Sequence, residues 1–343
     1  MMTGKTKIGL LAVSVTVVAL ICSFAQKYSA RAPKMYPYSH AGILTEPALF
    51  AEGIIDTRDD EFGGTFSPDG KTCYFSKSVL PFYLDVICFS KFKNGHWQTP
   101  EIAPFSGTYR DFDPTFSPDG KKMLFTSNRP VERKLRSDYD IWMVTKTKDD
   151  QWSEPVHLDT AINSNYDEHF ASIASSGAIY FSSNRPGAVG GAGDADFYYS
   201  KLENGHYTKA IHLTDSVSTP YYELDCVIAP DESFLLMGVY GGKGGYGNYD
   251  IYVSENIGGK WTPSRNLGPK VNSAFRDYSP RISPDGKYLF FTSERDFTFG
   301  KSKELTNFKD LKKNFNSVLN GSGNIYQIDL SVLGLKRPKT VAR

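Results

Sequence analysis

One short turn motif recurs along the chain and limits what it can fold into. FSPDG occurs at residues 66–70 and again at 116–120, and looser copies read IASSG, IAPDE and ISPDG from Ile173, Ile228 and Ile282. The five copies follow one another at intervals of about 50 to 57 residues, and a period of that size is the signature of a repeat architecture. Other features are therefore interpreted by their position within the repeat.

Each repeat predicts four antiparallel strands. In the second copy a strand beginning at Asp111 leads through the FSPDG turn into the aromatic run KKMLFTSNRP, and the segments DIWMVTK and WSEPVHL follow. Pro presets φ for such a turn and Gly accepts the positive φ that closes it. Alternation of aromatic and polar residues favours half-buried strands. Four antiparallel strands per repeat are typical of one blade of a β-propeller.

The fifth copy predicts how the ring closes. Its third strand ends near Leu333 and no fourth strand follows, but residues 46–56, ahead of the first copy, have the fourth-strand pattern of residues 152–160. We expect this N-terminal strand to complete the last blade, because closure leaves no sheet edge exposed. The predicted fold is all-β, a five-bladed β-propeller of four-stranded antiparallel blades over residues 43–335.

The N-terminal segment indicates where the protein is sent in the cell rather than how it folds. A basic start, an apolar run over residues 8–24 and the small residues Ser23 and Ala25 indicate a signal peptide over residues 1–25, although the run is also long enough for a retained membrane anchor. Lipidation at Cys22 is the third alternative. We expect a periplasmic or otherwise exported protein. The remaining flanks are predicted as a linker and a C-terminal tail, residues 26–42 and 336–343.

Charge and cysteine usage exclude some functions. The chain has 39 Lys and Arg against 38 Asp and Glu, so no electrostatic feature favours nucleic acid as a partner. No Cys/His spacing suits zinc. Cys73 and Cys88 fall on strands expected to be adjacent, so they either pair in an oxidising compartment or remain buried thiols.

Acidic residues at one end of the blades are the strongest functional signal. In an antiparallel blade, the starts of strands one and three lie at the same end, opposite the PDG turns. Strand one begins with an acid in every copy: Glu61, Asp111, Glu168, Glu223 and Asp277. Strand three begins with Asp in four copies: Asp85, Asp140, Asp196 and Asp250. We therefore expect nine carboxylates on one face.

These acids have a structural interpretation and a functional one. In three copies strand two ends in an arginine placed to pair with the strand-one acid, at Arg129, Arg185 and Arg295. The strand-three Asp residues suit turn caps. Val79 and Gly241 replace the arginine in copies one and four, so Glu61 and Glu223 lack that partner and are better candidates for binding a ligand or cation. Asp111, Glu168 and Asp277 remain candidates on the same face.

Further candidates surround the two Gly-rich loops of this face. His169 follows Glu168, and Arg185, Tyr240 and Tyr246 are placed to stack on a sugar or peptide. Asp194 and Asp196 offer hard oxygen ligands beside the loop of residues 187–193. Calcium is therefore the one cofactor that the sequence suggests.

An insertion in the fifth copy predicts one helix. Leu305, Phe308, Leu311 and Phe315 recur at spacings of three and four within residues 303–319, as in an amphipathic helix. We expect it to pack over part of the propeller mouth. The alternative is a membrane-surface helix that uses its lysines.

The segments FSPDGKKMLFTSNRP and ISPDGKYLFFTSERD resemble the TolB-type, WD-like β-propeller repeats of bacterial envelope proteins, over residues 43–334. The resemblance implies a binding platform for a protein, peptide or glycan of the cell envelope. We therefore expect a non-catalytic binding or scaffold protein. The alternative is a glycoside hydrolase or other hydrolase, for which two of the carboxylates would have to lie roughly 5 to 9.5 Å apart.

Overall fold

The computed structural model describes residues 35–79, 84–131, 138–191, 193–213, 217–296, 298 and 307–339. The predicted signal peptide lies outside these residues, as do residues 26–34 of the predicted linker and 340–343 of the predicted tail. By its contacts the chain divides after Tyr36. All the strands named below belong to the second unit, which starts at Pro37.

Five antiparallel sheets form the five blades of a β-propeller, which confirms the predicted fold. The first strands of the blades are β2 (Asp60–Phe66), β7 (Asp111–Phe116), β11 (Glu168–Ile173), β17 (Tyr222–Ile228) and β22 (Asp277–Ile282). The second strands are β3 (Thr72–Val79), β8 (Lys122–Ser127), β12 (Ile179–Ser183), β18 (Phe234–Tyr240) and β23 (Tyr288–Ser293). The third strands are β4 (Leu84–Lys93), β9 (Asp140–Thr145), β13 (Asp196–Ser200), β19 (Tyr249–Ile257) and β24 (Asn324–Asp329).

Short strands complete the outer edge of each blade. They are β1 (Ala48–Leu49), β5 (His96–Trp97), β6 (Glu101–Ile102), β10 (Val156–His157), β14 (Leu202–Glu203), β15 (His206–Tyr207), β16 (Ile211–His212), β20 (Lys260–Trp261) and β21 (Arg265–Asn266). In the fifth blade this place is taken by β1, which pairs antiparallel with β24 through Ala48 opposite Gln327 and Leu49 opposite Tyr326. The N-terminal strand therefore closes the ring, as predicted.

The recurring turns have the geometry that their sequence predicts. In the first copy the Ser67 hydroxyl donates to Asp69 at 2.7 Å, and the same carboxylate accepts from the Lys71 amide at 3.0 Å. Gly70 has φ of 72° and Gly120 has φ of 71°, a region in which a side chain would be strained. The same hydroxyl and carboxylate pairs recur at Ser117 with Asp119 and at Ser283 with Asp285.

A β-bulge interrupts the first strand of every blade at nearly the same place. In three blades a backbone amide freed by the bulge donates to a hydroxyl on the second strand of the preceding blade. Asp113 N donates to Ser76 at 2.7 Å, Phe170 N donates to Thr126 at 3.2 Å, and Gly63 N donates to Thr292 at 3.2 Å. These bonds fasten neighbouring blades to each other around the central channel.

Apolar clusters fill the space between neighbouring blades. Part of the segment predicted as a linker joins this packing. Tyr38 is buried, lies 5.0 Å from Phe66 and 5.7 Å from Phe290 between ring centroids, and its carbonyl accepts from Gln327 at 3.1 Å. The propeller core therefore extends to residues ahead of β1.

The predicted helix is present in the fifth blade, between β23 and β24. Helix α1 spans Phe308–Phe315, whereas residues 299–306, where it was expected to begin, lie outside the described residues. None of its residues is buried. A short 3₁₀ turn over Leu330–Leu333 follows β24.

Cys73, Cys88 and Cys226 are buried free thiols. Of the two alternatives for Cys73 and Cys88, the structure therefore has the unpaired one. Burial raises the pKa of Cys88 to about 11, so its thiol is neutral and unreactive at physiological pH.

Candidate functional site

The predicted acids do lie at one end of the blades. In the second blade Asp111 is opposite Ser127, and Ser127 is opposite Asp140. Blades three, four and five have the same register, with Asn324 in place of the Asp in blade five. In blade one Glu61 is opposite Lys77, and Asp85 is opposite the next residue, Ser78. The five strand-one acids are all fully buried, however, each with 0% exposure. They are Glu61, Asp111, Glu168, Glu223 and Asp277.

Each strand-one acid accepts hydrogen bonds from a Ser or Thr shortly before it in the chain. Glu168 accepts from both the amide and the hydroxyl of Ser164, at 2.7 and 2.6 Å. Thr57, Ser106, Thr219 and Ser273 donate in the same way in the other blades. Each carboxylate therefore fixes the segment that precedes the first strand of its blade. Sequence analysis missed this partner, although a Ser or Thr four or five residues ahead of each acid was visible.

The three predicted arginine pairs form. The distance from the guanidinium Nη2 to the acid is 2.6 Å for Arg129–Asp111, 2.9 Å for Arg185–Glu168 and 2.9 Å for Arg295–Asp277. Each Nη2 also donates to a backbone carbonyl, and each Nε donates to the Ser two residues earlier. Such charge-assisted, shared bonds are strong, so these pairs stabilise the blades.

Blades one and four depart from this arrangement in different ways. Glu61 pairs with Lys77 at 2.9 Å on the neighbouring strand. Glu223 lies opposite Val239, accepts from the Thr219 amide at 2.6 Å, and its Oε2 has no hydrogen-bond partner among the described residues. Burial raises the pKa of Glu223 to about 9, and Asp196 contributes in the same direction. Glu223 is therefore a neutral carboxylic acid at pH 7.

The strand-three Asp residues are also engaged. Asp85 accepts from Arg110 Nε and Nη2 at 3.0 and 2.8 Å, and Asp140 lies 3.0 Å from His157 Nε2. Asp196 and Asp250 cap turns, as predicted: Asp196 accepts from the Val189 amide, and Asp250 accepts from the amides of residues 246 and 247.

A cavity of about 750 Å³ opens at the same end of the ring, on the central channel. Eight aromatic side chains line it: Phe62, Phe112, Phe170, Tyr139, Tyr222, Tyr240, Tyr249 and Tyr278. The other lining residues are Arg110, His169, Leu224, Arg276 and Ser279. The lining residues described here therefore include no carboxylate.

The aromatic rings form a continuous wall. Ring centroids are 6.5 Å apart for Phe62 and Phe112, 6.2 Å for Phe62 and Tyr278, and 6.0 Å for Tyr249 and Tyr278. Phe112 and Phe170 are also 6.0 Å apart. These tilted arrangements are favourable for aromatic pairs and leave ring faces and edges available to a ligand.

The charged groups at the cavity are mostly balanced. Arg110 is held by Asp85, and the Nε of Arg276 donates to Glu294 at 2.8 Å. Burial lowers the pKa of His169 to about 4, so the ring is neutral. The cavity therefore presents apolar faces with guanidinium edges.

A buried network of charged and polar groups lies deeper along the bulged strands. Arg281 donates to Asp113 across the ring, from blade five to blade two. Tyr249, from the cavity wall, donates to Asp225 at 2.8 Å, and Ser279 donates to the same carboxylate at 3.3 Å. Burial raises the pKa of Asp113, although Arg281 opposes the shift.

Of the predicted ligand-binding residues, His169 and Tyr240 line this cavity. Arg185 lines a separate surface depression between blades two and three, of about 670 Å³. Tyr246 is 50% exposed and is not part of the cavity lining. Glu61, Asp111, Glu168, Glu223 and Asp277 are buried beside the lining rather than in it.

Sequence analysis missed most of the cavity wall. The signal was the residue directly after each strand-one acid: Phe62, Phe112, His169, Leu224 and Tyr278. Neighbouring side chains of a strand point to opposite faces, so an acid directed into the blade places the next side chain at the channel.

The calcium prediction has little geometric support. Asp196 already accepts from His212 at 2.7 Å and from Val189. The described part of the chain contains no group of three or more His, Cys, Asp or Glu side chains arranged to hold a metal ion. Asp194 and Asp196 remain a predicted site only.

Comparison with known proteins shows no family and finds similar structures only at low identity. The sequence matches no known family model and no curated protein. Among solved structures, TolB from Acinetobacter baumannii is 16% identical, with a TM-score of 0.44 over 82% of this chain and 56% of that one. The chain thus spans about half the length of that TolB.

Two similar structures are sugar-acting enzymes by name. An inulosucrase from Halalkalicoccus jeotgali, bound to kestose, is 14% identical, with a TM-score of 0.49 over 85% of this chain and 90% of that one. The catalytic domain of the Coprinopsis cinerea GH62 α-L-arabinofuranosidase is 10% identical, with a TM-score of 0.46 over 84% and 98%. At these identities and scores the likeness carries no argument about what this protein does.

None of the helices among the described residues has the length and hydropathy needed to cross a membrane.

Proposed function

We propose that the protein is a non-catalytic binding module that takes up its ligand in the central cavity. The observation that carries this proposal is the composition of the wall: eight aromatic side chains, two arginines and, among the described lining residues, no carboxylate. Concave, mainly apolar sites with a few polar groups are typical of ligand recognition. The ligand class is a glycan or peptide segment that presents a flat apolar face.

The alternative, a glycoside hydrolase, requires two carboxylates that reach the substrate. The strand-one acids are buried and hydrogen-bonded, three of them to arginines. Glu223 is neutral but does not line the cavity. The geometry therefore supports binding better than hydrolysis.

The first prediction compares two tyrosines of equal exposure. Tyr240 is 53% exposed and lines the cavity, whereas Tyr246 is 50% exposed and does not. Screening the full chain on glycan and peptide arrays identifies a ligand. Calorimetry then measures the affinity of the chain for that ligand. Tyr240→Ser should weaken binding about tenfold through the loss of one stacking face, and Tyr246→Ser should leave it unchanged.

A reversed result, with the loss confined to Tyr246→Ser, would place the ligand outside the cavity. Turnover of any array glycan that is abolished by Glu61→Gln or Glu223→Gln would replace the proposal with the hydrolase. Absence of turnover in the wild-type chain agrees with the binding proposal.

We also propose that the protein is exported and works in the cell envelope, with a protein, peptide or glycan there as its partner. The support is the predicted signal or anchor segment over residues 1–25 and the resemblance of the repeats to envelope proteins. Alkaline phosphatase fused to the C-terminus of the full chain should be active in a Gram-negative host. Deletion of residues 2–25 should abolish that activity, and an inactive full-length fusion would contradict export.

A further inference from the structure

Helix α1 presents an unusual side to solvent. Phe308 is 76% exposed and Phe315 is 58% exposed, although the apolar stripe of the sequence was expected to pack inward. Lys309, Lys312 and Lys313 are exposed as well. Two phenyl rings and three ammonium groups therefore share the outer side of one short helix.

Helical geometry explains this arrangement. Successive residues are rotated by about 100°, so residues 308, 312 and 315 lie next to one another and residues 309 and 313 lie beside them. The opposite side consists of Asp310, Leu311 and Asn314, which are all partly buried. The single acidic group of the helix, Asp310, is thus on the opposite side from the two phenyl rings.

The helix is held in place by contacts at both ends. The Asn307 side chain caps its start by accepting from the Asp310 amide at 3.0 Å. Beyond its end, Asn316 accepts from Arg58 at 3.3 Å, and the Asn320 side chain donates to the Arg58 carbonyl at 2.7 Å. Arg58 is exposed and adds a fourth positive charge next to the three lysines of the helix.

We propose that this side of α1, formed by Phe308, Phe315, Lys309, Lys312 and Lys313, docks onto an anionic lipid surface. Aromatic side chains on a short helix flanked by lysines favour insertion at the level of lipid headgroups, and each lysine near an anionic surface strengthens binding about fivefold. The charge complementarity selects acidic lipids over neutral ones.

The spacing and exposure of the two phenyl rings favour a bilayer over a partner protein. The two phenyl rings are seven residues apart, about 10 Å along the helix axis, and both are exposed. A protein partner would need two matching hollows at that spacing. A fluid bilayer needs none, because acyl chains and headgroups rearrange around each ring.

Co-sedimentation of the full chain with lipid vesicles tests the proposal. Phosphatidylcholine vesicles are compared with vesicles that also contain phosphatidylglycerol, at low and high salt. The wild-type chain should bind the acidic vesicles at least tenfold more tightly, and salt should reduce the difference. Phe308→Ser with Phe315→Ser should weaken binding to the acidic vesicles about tenfold, because the inserting rings are lost. Lys309→Glu with Lys312→Glu should abolish most of the preference for acidic lipid.

The matched control replaces two equally exposed apolar residues elsewhere. Ile102, on the outer strand β6, is 56% exposed, and Ile257, at the end of β19, is 67% exposed. Their double replacement by Ser should leave vesicle binding unchanged. Because all six substituted positions are exposed, every variant should unfold at the wild-type temperature. The apolar segment over residues 8–24 is present throughout, so its contribution is the same in every variant.

Three results would overturn the proposal. They are equal wild-type binding to neutral and acidic vesicles, undiminished binding of the Phe308/Phe315 variant to acidic vesicles, and an equal loss in the Ile102/Ile257 control.

Discussion

Replacing Arg281 with Met should lower the free energy of unfolding at pH 9 by about 3 to 5 kcal/mol, because it leaves a buried carboxylate without its cation. Burial raises the pKa of Asp113 to about 7, so the group is ionised at pH 9 and the loss should be smaller at pH 7. Arg281 is 3% exposed and Asp113 is 1% exposed, and their ion pair connects blade five to blade two across the channel. Without the guanidinium, only protonation of Asp113 relieves the cost. Urea denaturation followed by tryptophan fluorescence measures the effect.

The double variant Asp113→Asn with Arg281→Met is the control for this prediction. It removes Arg281 and the carboxylate of Asp113 together, so it should recover part of the stability lost in the single variant. Asp225, which Arg281 also stabilises, keeps its bonds from Tyr249 and Ser279. If Arg281→Met alone costs less than about 1 kcal/mol, the range for an exposed pair, the charges are not buried together in solution and the proposed network is wrong.

Glu223→Gln should make the protein more stable than the wild type at alkaline pH. The pKa of Glu223 rises from its usual 4.5 to about 9 through burial, so the folded protein holds a proton that the unfolded chain has released. Between these pH values the wild type therefore loses roughly 1.4 kcal/mol of stability per pH unit. The loss begins above the unfolded pKa and ends near the folded one. Glutamine carries no charge, so this dependence disappears.

Thermal unfolding of both proteins from pH 5 to pH 9 measures the difference. The two melting temperatures should be similar at pH 5 and should separate as the pH rises, with Glu223→Gln higher. Glu61→Gln is the matched control, since Glu61 is equally buried but pairs with Lys77. That variant should lower stability at pH 7. If Glu223→Gln is instead destabilising at pH 8, Glu223 is ionised and has a cationic partner.

The fold could be predicted because its signals are local. Asp69 and Gly70 close a turn through bonds within five residues, and the same turn recurs four more times in related form. Ring closure by β1 followed from counting strands, since one outer strand was missing at one end of the chain and available at the other. These features depend on residues close in sequence.

The candidate site could be predicted only in part. The alignment correctly placed the acids at one end, and it correctly paired Arg129 with Asp111. It did not distinguish an acid that faces the channel from one that faces the blade. Tyr139 reaches the cavity from the loop before β9, and its ring lies 5.5 Å from that of Phe112 in the first strand of the same blade. Arg276 precedes β22 and reaches the same cavity from blade five, which no single repeat shows.

By itself the sequence determined the number of blades, the closure of the ring and the end at which the acids lie. Only the tertiary structure decided that the carboxylates are buried and that the aromatic residues beside them form the cavity. The physical reason is the bulge in each first strand, which turns the backbone toward the neighbouring blade. In three blades the freed amide bonds to a hydroxyl of the preceding repeat, such as Ser76 or Thr126, so no single repeat specifies which side chain faces the channel.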